Sequence, residues 1–433
     1  MSSINKKTIY LILSDNELIK YLDNRDIGEL ILSCKFIYNK CFKYTLNTLH
    51  VNFGMVPRIE DENINEFNSG EDLLSKQAVH VTKLIEGRQQ YTSFLKAGPE
   101  LNYYILTKLI NSFTNLISLE LNIIIAPKHS IQLIFNNLEN LLTLNLINVV
   151  ITLPSKEQNS GGLKLPNCLK NLELIRCREI ATDISQPIAL SIYLYKIDFS
   201  DISFINIDTT SMAHLNQLSY QDSEPIHNSS LTRLLINNAK LAQVNTTFSN
   251  LNVESFNSIS TNPNISNLAF DFFYYEAPSA ITLPADLPFP YIKSLQFNTI
   301  PGSFLEIVKT LVNNCPNLEQ LECYLTPRYE LEDLLNSSSL PKLKRLIINN
   351  YAETCKATLS PLPELDLEYI EFGKFDPMKI DFSIFSNLSK LKRIKITSRP
   401  VHLENYQSIQ EYYNSLKSWR IDYYPLSLNC WKA

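Results

Sequence analysis

Glycine is scarce in this chain: nine in 433 residues, at positions 28, 54, 70, 87, 98, 161, 162, 302 and 373. They do not combine into a phosphate-cradling loop, which excludes a dinucleotide fingerprint and a P-loop. No cofactor is expected. The eight cysteines include no Cys-x-x-Cys pair, and they read as reduced thiols packed as small hydrophobes. The six histidines form no His-Glu-x-x-His and none has a cysteine at zinc-finger spacing, so no metal is expected. A Gly-x-Ser-x-Gly elbow is also missing. Paired carboxylates such as Glu60 and Glu62 stand in a polar run without an apolar pocket to shift a pKa. The chain therefore reads as a non-enzyme.

Long apolar runs are missing too. No stretch approaches the roughly 20 residues that a membrane helix needs. The short apolar run Ile9–Leu13 is followed at once by Ser14, Asp15, Asn16 and Glu17, so it does not read as a secretory signal. The expectation is an intracellular protein, cytoplasmic or nuclear or both, with no membrane contact. Charged residues are 19% of the chain and the net charge is -5. That balance argues against a phosphate backbone, and so against direct nucleic-acid binding.

What the chain has is a recurring phrase: apolar, two residues, apolar, one residue, apolar. It reads Ile292-Leu295-Phe297, Leu318-Leu321-Cys323, Leu343-Leu346-Ile348, Leu367-Ile370-Phe372, Leu391-Ile394-Ile396 and Leu416-Trp419-Ile421. The starts at 292, 318, 343, 367, 391 and 416 are 26, 25, 24, 24 and 25 residues apart. A fixed period in this range predicts a stacked solenoid of short strands. Earlier copies are Leu116-Leu119-Leu121, Leu141-Leu144-Leu146, Leu169-Leu172-Leu174, Leu231-Leu234-Ile236 and Ile265-Leu268-Phe270, with weak ones at Ile192-Tyr195-Ile197 and Leu215-Leu218-Tyr220. Leu46-Leu49-Val51 already carries the phrase. Residues 240–290 are the least regular, and the acidic residues 58–72 read as a solvated loop. Helices are expected between phrases, as over 103–113 and from Phe304 to Val312, where Pro316 stops the helix before the next phrase.

The N-terminal part has a different pattern. Ser14 and Glu17 form a capping box for a short helix through Leu18, Ile19 and Leu22. Asp26 and Glu29 repeat that signal, and an apolar stripe follows at 27, 30, 31, 34, 37, 38, 41 and 42. Four segments result: a disordered tail over 1–8, a helical module over 9–44, a linker with an acidic loop and first irregular repeats over 45–115, and the solenoid over 116–433.

The repeat phrase, with Leu169-x-x-Leu172-x-Leu174-x-x-Cys177 as its fullest copy, resembles leucine-rich repeats. That family's ninth position, usually Asn or Cys, here holds Val149, Ala239, Ile300, Tyr351, Phe375 and Tyr424, so irregular turns are expected instead of an asparagine ladder. The run Leu18-Ile19-Lys20-Tyr21-Leu22-Asp23-Asn24-Arg25-Asp26-Ile27, followed by Leu32-Ser33-Cys34-Lys35-Phe36-Ile37-Tyr38-Asn39, resembles an F-box. Tyr10 and Leu11 stand where that family usually has Leu-Pro.

The resemblance implies an α/β fold: a horseshoe solenoid of irregular leucine-rich repeats behind a small all-α F-box-like module. It implies a substrate-recognition subunit of an SCF-type ubiquitin ligase. A Skp1-type adaptor, and through it a cullin, would be held by Leu18, Ile19, Leu22, Ile27, Leu30, Cys34, Phe36 and Tyr38. The alternative is a scaffold that binds the same adaptor without ubiquitination, for example in centromere or kinetochore assembly. Because side chains alternate along a strand, residues between the apolar positions line the concave face. Glu322, Tyr324, Arg345, Tyr369, Glu371, Arg393, Lys395 and Arg420 are the expected contacts for a protein target, being rich in the types that dominate hot spots.

Overall fold

The computed structural model describes residues 47–51, 70–98, 101–113, 115–154, 161–182, 203–209, 212–222, 229–272, 283, 286–298, 300–325, 334–335, 340–350, 364–398, 406–424 and 426–432. The expected helical module over 9–44 lies outside them, as do residues 58–69 of the acidic segment and the weak phrase at 192–197. The chain forms two compact units, Met1–Asp208 and Thr209–Ala433.

In the first unit the elements are β1 (Thr48–Val51), α1 (Gly70–Leu84), β2 (Phe94–Ala97), α2 (Tyr103–Ile110), β3 (Ser118–Asn122), β4 (Ile125–Pro127), α3 (Lys128–Asn136), β5 (Thr143–Ile147), β6 (Val150–Leu153), β7 (Leu163–Lys164), β8 (Asn171–Ile175), β9 (Arg178–Ala181), β10 (Ser203–Phe204) and β11 (Ile207–Asp208). Strands β1, β2, β3, β5 and β8 pair in that order, all parallel. The register lines up Leu49, Leu95, Leu119, Leu144 and Leu172 in one inward row. None of the five is more than 6% exposed. Each strand alone is too short to bury its apolar face, so stacking supplies the core.

Helix α1 was not expected. It begins at Gly70, inside the segment read as a loop, and buries Leu74, Ala78 and Val81. Three or four residues separate these positions, which is the helical stripe that the acidic residues at its start disguise. Helix α2 does fall where the pattern predicts. Asn102 caps it, its side chain accepting from the Tyr104 N–H at 2.9 Å.

The turns leaving β3, β5 and β8 share one device. Ile123, Asn148 and Arg176, each the residue just past its strand, have φ of 54°, 52° and 50°. This left-handed step lets the chain bend at once, and it buries the next residue, Ile124, Val149 or Cys177, at 0% exposure. The Cys177 thiol donates to the Leu146 carbonyl at 3.2 Å. The turns then feed a second sheet ordered β10-β9-β6-β4. In these three turns the ninth position is thus apolar and the turn regular, where irregular turns were expected.

The second unit contains β12 (Gln217–Gln221), α4 (Ser229–Asn237), β13 (Gln243–Thr247), α5 (Val253–Thr261), β14 (Asn267–Asp271), β15 (Ser294–Asn298), α6 (Leu305–Asn313), β16 (Gln320–Leu325), β17 (Arg345–Asn350), β18 (Tyr369–Gly373), β19 (Arg393–Thr397), α7 (Tyr406–Asn414), β20 (Trp419–Tyr424) and β21 (Ser427–Lys432). From β12 to β19 each strand pairs in parallel with the next. The inward row Leu295, Leu321, Leu346, Ile370 and Ile394 is in register and fully buried, each at 0% exposure. Between β18 and β19 short 3-10 turns, Pro377–Lys379 and Phe382–Phe385, replace the α-helix. The mixed α/β fold with a large parallel sheet is compatible with a solenoid.

Two phrases were misplaced. Leu231-Leu234-Ile236 is not a strand but part of α4, with Ile236 51% exposed. An i, i+3 spacing fits both a helix face and the opening of the phrase, so it does not discriminate. The strand is β13, reading Leu241-Val244-Thr246. With it the starts at 215, 241, 265 and 292 are 26, 24 and 27 residues apart, so the stretch over 240–290 keeps the period. Phenylalanine replaces leucine in its core: the rings of Phe248 and Phe270 stack at 4.3 Å, and those of Phe272 and Phe304 meet edge-on at 5.1 Å.

The second misplacement is Leu416-Trp419-Ile421, which does not continue the parallel stack. Strand β21 pairs antiparallel with β19, and β20 lies beyond it, antiparallel to β21. β20 is the outermost strand, and none of the three phrase positions, Leu416 just before it and Trp419 and Ile421 on it, is buried. Leu428 and Cys430 of β21 take the inward places instead, at 2% and 0% exposure.

Candidate functional site

The residues between the inward rows stand on the other face of the second unit's sheet, most of them half-exposed. Strand register arranges them in rows across the strands. One row runs Gln320, Arg345, Tyr369, Arg393, Trp431 and Arg420. The next runs Gln296, Glu322, Ile347, Glu371, Lys395, Asn429 and Asp422.

The first row alternates cation and aromatic ring. The Arg345 guanidinium carbon lies 4.9 Å from the Tyr369 ring centre, and that of Arg393 lies 5.5 Å from it. Arg393 also stands 4.6 Å from the Trp431 ring. Neighbouring strands are about 4.8 Å apart, so in-register pairing brings such side chains into contact without a loop. Each contact is worth about 0.5–1 kcal/mol at an exposed site.

The second row holds the charges that accompany the rings. Lys395 Nζ donates to Glu371 Oε1 at 2.7 Å, and the Tyr369 hydroxyl donates to Glu371 Oε2 at 2.7 Å. Partial burial alone would raise the Glu371 carboxyl, but these two donors hold it below the usual carboxylate range. Tyr369 is pushed up, first by burial and then by the carboxylate it donates to. Glu322 is also pushed up, chiefly by burial, although Asn349 donates to its Oε1 at 2.9 Å. Gly373 makes that bond possible: a Cβ there would fall 1.9 Å from the Asn349 side-chain oxygen.

Further along, on β14, Asp271 accepts from Gln221 and Asn298. Burial raises its pKa against those two donors. Tyr324 is raised by burial and by the charges of Glu322 and Asp271. The face therefore has an acidic side at β14 and β16 and a cation-rich side from β17 onward.

No protein-family model matches this chain. No curated protein matches it either. Among solved structures it is similar to a chain of the crystal structure of the TLR13–ssRNA13 complex, at 15% identity, covering 74% of this chain and 57% of that one, with a TM-score of 0.25. The chain thus spans a little over half the length of that neighbour.

Of the residues expected to meet a target, Arg345, Tyr369, Glu371, Arg393 and Lys395 form one contiguous group. Glu322 and Tyr324 lie beside it on β16. Arg420 belongs to the first row but sits two strands beyond Arg393, exposed and paired with Asp422 at 3.3 Å. Trp431 separates the two arginines and was missed, together with Asn429 and Asp271. The alternation in Ser427-Leu428-Asn429-Cys430-Trp431 was the available signal. It is a period-2 strand pattern without the repeat phrase. The expected adaptor contacts from Leu18 to Tyr38 lie outside the described residues. Cys315, Cys323 and Cys430 are buried. Burial pushes the Cys430 thiol up to about 12, so it stays protonated and is no nucleophile. Among the described residues no cluster of three His, Cys, Asp or Glu side chains could hold a metal ion.

Proposed function

We propose that this chain is the substrate-recognition subunit of an SCF-type ubiquitin ligase, with leucine-rich repeats presenting the target-binding face. The N-terminal segment 9–44 docks a Skp1-type adaptor through Leu18, Ile19, Leu22, Ile27, Leu30, Cys34, Phe36 and Tyr38. The open face of the second unit holds a protein target. Catalysis belongs to the ligase's other subunits, and this chain contributes proximity.

One observation carries the reading. An F-box-like run stands directly before repeats whose open face carries a row of alternating arginines and aromatic rings. Arg, Tyr and Trp are the types enriched at binding hot spots. Stacked repeats are suited to this work, because each adds a strand's width of surface at fixed spacing.

The test is reconstitution from purified components. The full chain, a Skp1-type adaptor and a cullin are mixed and passed over a sizing column. Co-elution of all three is expected. Elution with the adaptor but without the cullin would favour a scaffold that uses the adaptor alone, and absence of the adaptor would overturn the F-box assignment.

A further inference from the structure

We infer that the row Arg345, Tyr369, Arg393 and Trp431 is an acceptor for an acidic segment of a partner protein, two of whose carboxylate side chains dock on Arg345 and Arg393. The inference deepens the receptor reading above and rests on it.

The carboxylates near this row are already engaged. Both Glu371 oxygens are taken, one by Lys395 and one by Tyr369. Asp422 Oδ2 accepts from Trp431 Nε1 at 2.9 Å and from Arg420 at 3.3 Å. Arg345 is exposed, and among the described residues its side chain makes no hydrogen bond or ion pair; the Tyr369 ring and, at longer range, the Glu371 charge are its neighbours. The Arg393 guanidinium gives one hydrogen bond, from Nη2 to Asn429 Oδ1 at 2.6 Å, while its Nε is buried with no acceptor. Two guanidiniums thus stand oriented by rings, with donors unspent. A guanidinium fork matches a carboxylate in two parallel hydrogen bonds.

Spacing favours two carboxylates over one phosphate. Arg345 and Arg393 lie on strands either side of Tyr369, two strand widths or about 10 Å between Cα atoms. A segment laid across the strands in the polyproline II conformation rises about 3.1 Å per residue with three residues per turn, so acidic residues three apart share one face and match that interval. The acidic side of the face speaks against a polyphosphate. A nucleic-acid strand continuing past Arg345 would meet Glu322 and Asp271, whereas a peptide can end or change sign there.

The experiment uses the full chain and fluorescein-labelled dodecapeptide pools, randomised except for a central Glu-x-x-Glu. Matched pools carry Gln-x-x-Gln or a single phosphoserine, and a labelled oligo-dT serves as the polyphosphate. Fluorescence anisotropy is expected to show the Glu pool binding at least tenfold tighter than the Gln pool and tighter than the other two. Arg345→Gln with Arg393→Gln should lose at least tenfold. Arg345→Gln alone, at an exposed position, should lose severalfold with at most a small fall in unfolding temperature. Lys392→Gln, which removes a charge beside the row, should bind like wild type. Equal binding of the Glu and Gln pools, tighter binding of the phosphoserine pool or of oligo-dT, or wild-type affinity in Arg345→Gln would each overturn the proposal. Adaptor and cullin co-elution does not involve this face. Co-elution alongside a failed peptide test would sink this inference and leave the receptor reading standing.

Discussion

Leu346 and Arg345 are neighbours in the chain and point to opposite faces of β17. Leu346 lies at 0% exposure within the inward row. Leu346→Ala should cost about 2–5 kcal/mol, the range for a buried leucine that leaves a cavity. Arg345→Ala should cost under about 1 kcal/mol, since it gives up one exposed cation–ring contact. Urea titration of both variants checks the contrast. Ile123 holds a left-handed φ of 54° with a β-branched side chain. That conformation costs roughly 1–2 kcal/mol, and asparagine tolerates it better. Ile123→Asn, at a partly exposed site, should therefore stabilise the chain by about 1 kcal/mol. Two glutamates on the open face should respond to pH in opposite directions. Glu371 titrates below its unfolded value, so its stabilising contribution is present above the unfolded pKa and is lost as pH falls through the folded one. Glu322 titrates above its unfolded value, so its ionisation opposes folding above the folded pKa and ceases to matter below the unfolded one. Glu322→Gln should raise the melting temperature at neutral pH and Glu371→Gln should lower it, both differences shrinking toward pH 3.

At the scale of elements, the end of the sheet is the point of exposure. Strand β19 would be an unpaired parallel edge if β21 did not cover it in antiparallel register. Deleting residues 427–433 should uncover that edge and produce concentration-dependent association in light scattering; a monodisperse truncated chain would mean that the edge is protected otherwise. The hairpin also shows where sequence reading stops. The inward rows were legible because each phrase places a leucine, isoleucine or phenylalanine at fixed spacing, and burial enforces it. The phrase at 416 had the same spacing but none of that burial, because neighbours and not spacing decide which strand lies inside. Leu231-Leu234-Ile236 failed for a related reason: an i, i+3 pair is shared by helix and strand, and only the next repeat's register decides. Helix α1 was hidden by the acidic residues at its start. On the open face, the phrase located Arg345, Tyr369 and Arg393 but not Trp431, which reaches the row from a strand that lacks the phrase.

Under the proposed function, the chain would carry two tasks in order: adaptor docking, then target recognition on a parallel stack. The stack makes them separable, because a repeat contacts its neighbours and little else. Changes on the open face should leave adaptor binding intact, and changes in residues 9–44 should leave the face intact. The most direct test is affinity mass spectrometry of the wild-type chain against a Leu22→Asp, Ile27→Asp variant, since a docked helix cannot bury unpaired charges. The account predicts that wild type captures a Skp1-type adaptor and a cullin, and that the variant loses both while retaining its target. Adaptor capture that survives both aspartates, or a wild-type chain that captures no such adaptor, would contradict it.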